Sequence, residues 1–153
     1  MKPLNTGNHR ESQATYGATK SKMPTLVVVD DEPALRLLLN EFFQKRFKVV
    51  TLEGGTECIS YLQRSEPEVL ILDLNMPGLS GLEVIRKIRK EANLQRVAII
   101  ILSSAESSVD RINCLEAGAD DFVLKPFNPR ELDARINAIL RRINYHRNDV
   151  VVA

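Results

Sequence analysis

Val69-Leu70-Ile71-Leu72-Asp73-Leu74-Asn75-Met76-Pro77-Gly78-Leu79-Ser80-Gly81 is the stretch on which the reading of this chain turns. Four apolar residues run into a carboxylate, and a Pro-Gly turn and a Ser-Gly-Leu-Glu helix start follow directly. A continuous apolar run of this kind reads as a strand buried on both faces, as in parallel sheets. The carboxyl ends of such strands are where open α/β sheets gather their chemistry. Asp73 is thus the candidate reactive residue, provided that other strands bring it partners.

The sequence on either side repeats the theme. Residues 26–29 form another buried-type run that ends in Asp30-Asp31-Glu32, and Pro33 suits the first turn of a helix. Leu35, Leu38, Leu39 and Phe42 recur at helical spacing and predict that helix's inward stripe. Residues 47–52 read as a second strand ended by Gly54-Gly55, after which Thr56 is expected to cap a short helix carrying Cys58, Ile59 and Leu62. Beyond the opening stretch, Ser80-Gly81-Leu82-Glu83 fits a capping box, and Leu82, Ile85 and Ile88 give one apolar face. Residues 97–102 predict a fourth strand leading into Ser103-Ser104. A helix with Val109, Ile112 and Leu115 facing inward comes next, and Gly118 is placed to end it. Residues 122–124 form a fifth strand ending in Lys125-Pro126. Asn128-Pro129-Arg130-Glu131 then predicts a second capping box, and Leu132, Ile136, Ile139, Leu140 and Ile143 a buried stripe that fades at Tyr145.

Strict alternation of five strands and five helices implies an α/β, doubly wound parallel sheet with helices on both faces. At 153 residues the chain suits one domain with tails. Residues 1–22, rich in Ser, Thr, Asn, Gln and Gly, are expected to be a disordered leader; residues 23–144 form the domain, and residues 145–153 a short tail with no effector domain. The net charge of +1 conceals an acidic centre: residues 1–22 carry +3, residues 141–153 carry +2, and residues 23–140 carry −4. Such a centre does not suit direct nucleic-acid binding, and no apolar run reaches the roughly 18 residues of a membrane span. Cys58 and Cys114 fall on apolar helix positions and read as core thiols of a reducing, cytoplasmic compartment. His9 and His146 have no ligand spacing, and glycine-rich nucleotide signatures are absent.

Right-handed crossovers bring the ends of strands one, three, four and five to the same edge of the sheet. Those ends carry Asp30-Asp31, Asp73, Ser103 and Lys125. Any one of them alone fits a helix cap or a surface charge; jointly they make a site. Crowded carboxylates raise one another's pKa unless a cation compensates, and an all-oxygen pocket suits Mg²⁺. A neutralised neighbourhood lets Asp73 act as a nucleophile toward a phosphoryl group, with Lys125 and Ser103 stabilising its oxygens.

In these pieces the chain resembles the receiver domain of two-component response regulators, in its single-domain form, across residues 25–144. The pieces are Val29-Asp30-Asp31-Glu32, Asp73 through Gly81, Leu102-Ser103-Ser104-Ala105 and Lys125-Pro126-Phe127. The spacings also match: 42 residues from Asp31 to Asp73, 30 more to Ser103 and 22 more to Lys125. The resemblance implies a flavodoxin-like sheet of order 2-1-3-4-5. It implies that Asp73 accepts a phosphoryl group from a sensor histidine kinase or phosphotransfer protein. Asp31, Asp73 and the backbone carbonyl of Asn75 would ligate Mg²⁺ directly, Asp30 through water, and the Lys125-Pro126 bond would be cis. Ser103 and Phe122 match the two switch positions: the Ser103 hydroxyl is drawn to the phosphoryl group, and Phe122 rotates into the vacated space. The face of helix four, strand five and helix five then repacks to bind a downstream protein. Ser103 stands where threonine is more frequent, which loosens the switch by removing a methyl that restricts χ1. Ala105 is smaller than the usual residue there, leaving the phosphorylated lifetime open.

The charged residues Arg111, Glu116, Asp120, Asp121, Glu131, Arg135 and Arg142 also resemble the dimer face of the winged-helix, DNA-binding class of regulators. Arg111–Glu131, Asp121–Arg135 and Asp120–Arg142 would pair in a phosphorylation-dependent homodimer, against the plainer reading of solvated helix faces. Three other readings compete: the receiver portion of such a DNA-binding regulator, a phosphorylation-independent scaffold, and a haloacid-dehalogenase-like phosphatase. The last needs a second Asp two residues after the nucleophile, where this chain has Asn75.

Overall fold

The computed structural model describes residues 22–149, with side chains described as far as Asn144. Apart from Lys22, the expected leader lies outside the described residues, as do residues 150–153 of the expected tail. The elements alternate strictly. β1 (Thr25–Val29), α1 (Pro33–Phe43), β2 (Lys48–Leu52), α2 (Gly55–Leu62) and β3 (Val69–Asp73) make the first half. The second half comprises α3 (Gly81–Ile88), a 3₁₀ turn (Ala92–Leu94), β4 (Ala98–Ser103), α4 (Ser108–Ala117), β5 (Asp121–Leu124) and α5 (Pro129–Asp149). All four strand pairings are parallel and the order is β2-β1-β3-β4-β5. This is the doubly wound arrangement that the alternation implies, in the flavodoxin-like order that the resemblance implies.

The central strands read as unbroken apolar runs because both faces are covered. Val27, Val29, Leu70, Leu72, Ile99 and Ile101 pack under α2, α3 and α4 against Cys58, Leu62, Val84, Ile85, Ile88 and Cys114. Their alternates Leu26, Val28, Val69, Ile71, Ile100 and Leu102 pack against Leu39 and Phe43 of α1 and Leu132, Ile136 and Ile139 of α5. Leu26 to Val29, Val69 to Leu72 and Ala98 to Leu102 have no exposed surface, and each large aliphatic so buried contributes about 1.5–3 kcal/mol. A further tie joins α5 to the corner before β2. Arg46 lies 4.8 Å over the Phe47 ring, while its Nη2 is 2.7 Å from Asp133 and donates to Asn137 at 2.9 Å.

Local signals fix most helix ends. Ser80 and Glu83 form both arms of the expected capping box on α3, and Gly118 closes α4 with a φ of +118°, a conformation costly for any side chain. Five expectations need correction. On α1 the buried residues are Leu39 and Phe43, while Leu38 and Phe42 are 47% and 38% exposed, so the stripe is turned by about one residue. On α4 only Cys114 is buried; Val109, Ile112 and Leu115, expected inside, are exposed by 63%, 51% and 44%. Periodicity fixes the spacing of a stripe but not which side of the helix meets the sheet. Gly54, not Thr56, stands at the N-cap of α2, with no side-chain cap. The Asn128 side chain accepts from the Arg130 amide, but Glu131 does not complete the box because its carboxylate pairs with Arg135. Finally, α5 continues past Tyr145 to Asp149, because helical backbone bonds propagate without an apolar stripe.

The turn after β3 is held by a close backbone approach. The Gly81 amide donates to the Leu74 carbonyl at 2.9 Å, and a Cβ on Gly81 would come within 2.5 Å of the Asp73 carbonyl oxygen and 2.9 Å of Leu74 Cα. Both are backbone atoms with no freedom to withdraw. Gly81→Ala is therefore expected to destabilise the fold by about 1–3 kcal/mol, read as a lower urea midpoint with an unchanged slope.

Candidate functional site

Sheet register places the polar strand ends side by side. Val29 is paired with Leu72, Asp73 with Leu102, and Ser103 with Leu124. The residues just beyond β1 and β5, Asp30 and Lys125, thus flank Asp73 and Ser103 on the carboxyl edge. Leaving the sheet at this edge lets their side chains converge while their backbones stay anchored in the core.

Asp30, Asp31 and Asp73 each offer a carboxylate oxygen, and the three oxygens lie within 4.8 Å of one another. Asp30 and Asp73 are buried, at 1% and 5% exposure, whereas Asp31 faces solvent. Lys125 Nζ reaches Asp30 Oδ2 at 2.8 Å and Asp73 Oδ1 at 3.5 Å. Its peptide bond to Pro126 is cis, as the resemblance implied. Burial is the main force on the Asp73 carboxyl and pushes it up to about 6; the Asp30 charge adds to this, and Lys125 and the Asn75 amide oppose it. Burial would lower the Lys125 ammonium, but its bond to Asp30 and the charges of Asp30 and Asp73 hold it above its ordinary value. With three carboxylates ionised, one ammonium leaves the cluster at a formal charge of −2. A close-set, oxygen-only donor set with that deficit fits a hard divalent cation.

Asp30 is fixed at every polar atom. Its Oδ1 accepts from the Glu32 amide at 2.8 Å, its amide donates to the Leu52 carbonyl at 3.2 Å, and its carbonyl accepts from Arg36 Nη1 at 2.7 Å. Ser103 is fully buried and its hydroxyl turns to Ala105, accepting from the amide at 3.1 Å and donating to the carbonyl at 3.5 Å. It makes no hydrogen bond to the carboxylate cluster among the described residues. Phe122 is 8% exposed, already packed inward beneath Arg111, whose guanidinium carbon lies 5.5 Å from the ring centroid.

The charged residues expected at a dimer face have other company within the chain. Arg135 pairs with Asp121 at 3.0 Å and with Glu131, one helical turn away, at 2.9 Å. Asp120 accepts from Arg89 at 3.2 Å and from the Ile99 amide at 2.7 Å. Among the described residues, Arg142 reaches only the Ala138 carbonyl, at 3.5 Å. Two arginines escaped the sequence reading, Arg36 beside Asp30 and Arg89 at the end of α3. The second donates to the carbonyls of Gly118, Leu94, Gln95 and Val97 as well as to Asp120. Their partners are largely backbone carbonyls, which leave no pattern in a sequence.

Comparison with known proteins follows the same lines. The response regulator receiver domain family matches residues 26–137. Among curated proteins, "Probable transcriptional regulator ycf27" of Guillardia theta is 43% identical over 127 residues, covering 82% of this chain and 48% of that protein. The phosphate regulon transcriptional regulatory protein PhoB of Rhizobium meliloti is 41% identical over 121 residues, covering 78% and 53%. The chain thus spans about half the length of the curated relatives it matches. Among solved structures, the BeF3-activated DrrB receiver domain superposes with a TM-score of 0.71 at 31% identity, covering 78% of this chain and 98% of that one. A Francisella response regulator receiver domain gives 0.71 at 28% identity, with the same coverage. By sequence and by fold, the chain belongs to the response regulator receiver domain family of two-component signalling.

Proposed function

We propose that this receiver accepts a phosphoryl group on Asp73 from a phosphohistidine of a sensor histidine kinase or phosphotransfer protein. The observation that carries the reading is a buried carboxylate at the focus of two further carboxylates and a lysine. In the transfer, an Asp73 oxygen forms its bond to phosphorus as the donor's phosphorus–nitrogen bond breaks. Lys125, already 3.5 Å from Asp73, holds a phosphoryl oxygen. Asp30, Asp31, Asp73 and the Asn75 backbone carbonyl would hold Mg²⁺. The ion supplies charge neutralisation that the lone ammonium does not complete. The Ser103 hydroxyl exchanges its Ala105 partner for a phosphoryl oxygen, which moves the loop leading into α4. That change biases the α4–β5–α5 face, where Val109, Ile112 and Leu115 stand exposed, toward a protein partner or a second copy. Moving such a switch from about 1:99 to 99:1 takes roughly 5.5 kcal/mol, within reach of a few charge-assisted hydrogen bonds at about 1.5–3 kcal/mol each.

The transcriptional role in the relatives' names is theirs; what this chain shares with them is the receiver, the regulatory input. A cytoplasmic location belongs to the same reading, since the donor is an intracellular phosphohistidine; no described helix is long and apolar enough to cross a membrane. Turnover chemistry is no part of it beyond accepting the group and losing it to water.

Incubation with acetyl phosphate and Mg²⁺ is expected to add one phosphoryl group, located on Asp73 by mass spectrometry and absent in Asp73→Asn or in excess chelator. An unmodified Asp73 under these conditions would favour a scaffold that works without phosphorylation. Ser103→Thr should enlarge the phosphorylation-dependent NMR shift of α4 amides, because the added methyl narrows χ1; an unchanged shift would count against the loose-switch reading.

The acidity of Asp73 supplies a third test. Its folded pKa of about 6 exceeds the ordinary 3.8, so between these values the folded chain binds more protons than the unfolded one. In chelator, stability should therefore fall as pH rises from about 4 to above 6, by about 3 kcal/mol for a shift of this size. Asp73→Asn lacks this titration, so its stability relative to the native chain should grow over that window. Denaturant melts at pH 4 and pH 7 measure the difference, and a constant gap would refute it.

A further inference from the structure

We infer that Arg36 is a positioning residue for the cation site, acting through the peptide unit that carries Asp31. Asp31 is the one member of the carboxylate cluster that faces solvent, and among the described residues its side chain has no hydrogen-bond or ion-pair partner. Its position is therefore set by its backbone alone. The α1 start offers little help, because Glu32 stands at the N-cap without a side-chain cap and Pro33 follows it. Two bonds hold the segment that carries Asp31: the Glu32 amide donates to Asp30 Oδ1 at 2.8 Å from within it, and Arg36 Nη1 donates to the Asp30 carbonyl at 2.7 Å from outside it. The other arm of the guanidinium lies 3.5 Å from Glu53 just beyond β2. Arg36 thus bridges α1, the β1 end and the β2 end with a side chain that is only 15% exposed, while Glu53 is 73% exposed.

This geometry separates two roles that a cation near an acidic pocket can play. As a charge, Arg36 repels a divalent ion, and removing it would tighten binding. As a brace, it keeps Asp31 where a ligand is needed, and removing it would weaken binding although the pocket becomes more negative. The short bond to a backbone carbonyl, with only a long ion pair to an exposed carboxylate, makes Arg36 a brace.

The inference rests on the cation reading of the Asp30–Asp31–Asp73 cluster, and its test distinguishes the two. Mg²⁺ is titrated into the full chain and into Arg36→Met and Arg36→Lys, followed by calorimetry and by the backbone amides of residues 30–32 in NMR. Melting in chelator establishes that each variant is folded. Arg36→Met keeps the aliphatic stem but no donor and should weaken Mg²⁺ by about tenfold or more, the scale on which outer partners of metal ligands act. Arg36→Lys keeps the charge and one donor but not the two-armed bridge, and should fall between, weakened by about threefold or more on the same scale. Binding in Arg36→Met that is unchanged or tighter overturns the inference while leaving the cation site standing. If Arg36→Met melts below the titration temperature, Arg36→Lys decides alone, and native affinity in it overturns the inference. A native chain that binds no Mg²⁺ removes the cation reading and this inference with it.

Discussion

Everything at the carboxyl edge of this sheet depends on keeping Asp30 and Asp73 close together and out of water against their mutual repulsion. Neither the core nor the register relieves that repulsion; both enforce it. Val29 and Leu72 are paired across fully buried strands, so the carboxylates that follow cannot drift apart without breaking the sheet. Lys125 gives partial relief from the far side of β4, but burial first and the Asp30 charge second still hold the Asp73 carboxyl above its ordinary value. A site that is unfavourable when empty is well suited to binding whatever brings positive charge, and to responding when a ligand changes the balance.

The same arrangement separates rigid parts from movable ones. Asp30 is bonded at all its polar atoms, and the sheet beneath it packs on both faces. Ser103, by contrast, spends its hydroxyl on the loop two residues ahead. That local bond can be exchanged without disturbing the ladder. Phe122, 8% exposed, lies beneath the Arg111 guanidinium on the face next to that loop. On the proposed reading, the change would begin in the loop from Ser103 to Ser107 and the helix it leads into.

The sheet and the site were legible in the sequence for a common reason. Strands buried on both faces leave long apolar runs, and a charged residue at the end of such a run stands out sharply. Asp30, Asp73, Ser103 and Lys125 are conspicuous because residues 26–29, 69–72, 98–102 and 122–124 around them admit nothing polar. Helix orientation was less legible. Leu38 and Phe42 stand on the outer side of α1 at the same four-residue spacing that Leu35, Leu39 and Phe43 show on the inner side. A spacing pattern cannot choose between two such stripes. Arg36 and Arg89 were invisible for another reason: an isolated arginine looks like a surface charge until the fold brings carbonyl oxygens around it.

Arg89 gives α4 an unequal pair of ends. Its guanidinium grips the Gly118 carbonyl and three carbonyls in the stretch before β4, clamping the close of α4 to the end of α3. The opening of α4 hangs from the Ser103–Ser107 loop, and its one buried side chain is Cys114, near the clamped end. The helix is thus built as a lever with its fulcrum at Gly118 and its load, the apolar surface of Val109, Ile112 and Leu115, spread along the free arm. On the proposed reading, a shift at Ser103 would tilt α4 about this clamped end rather than pass through the core.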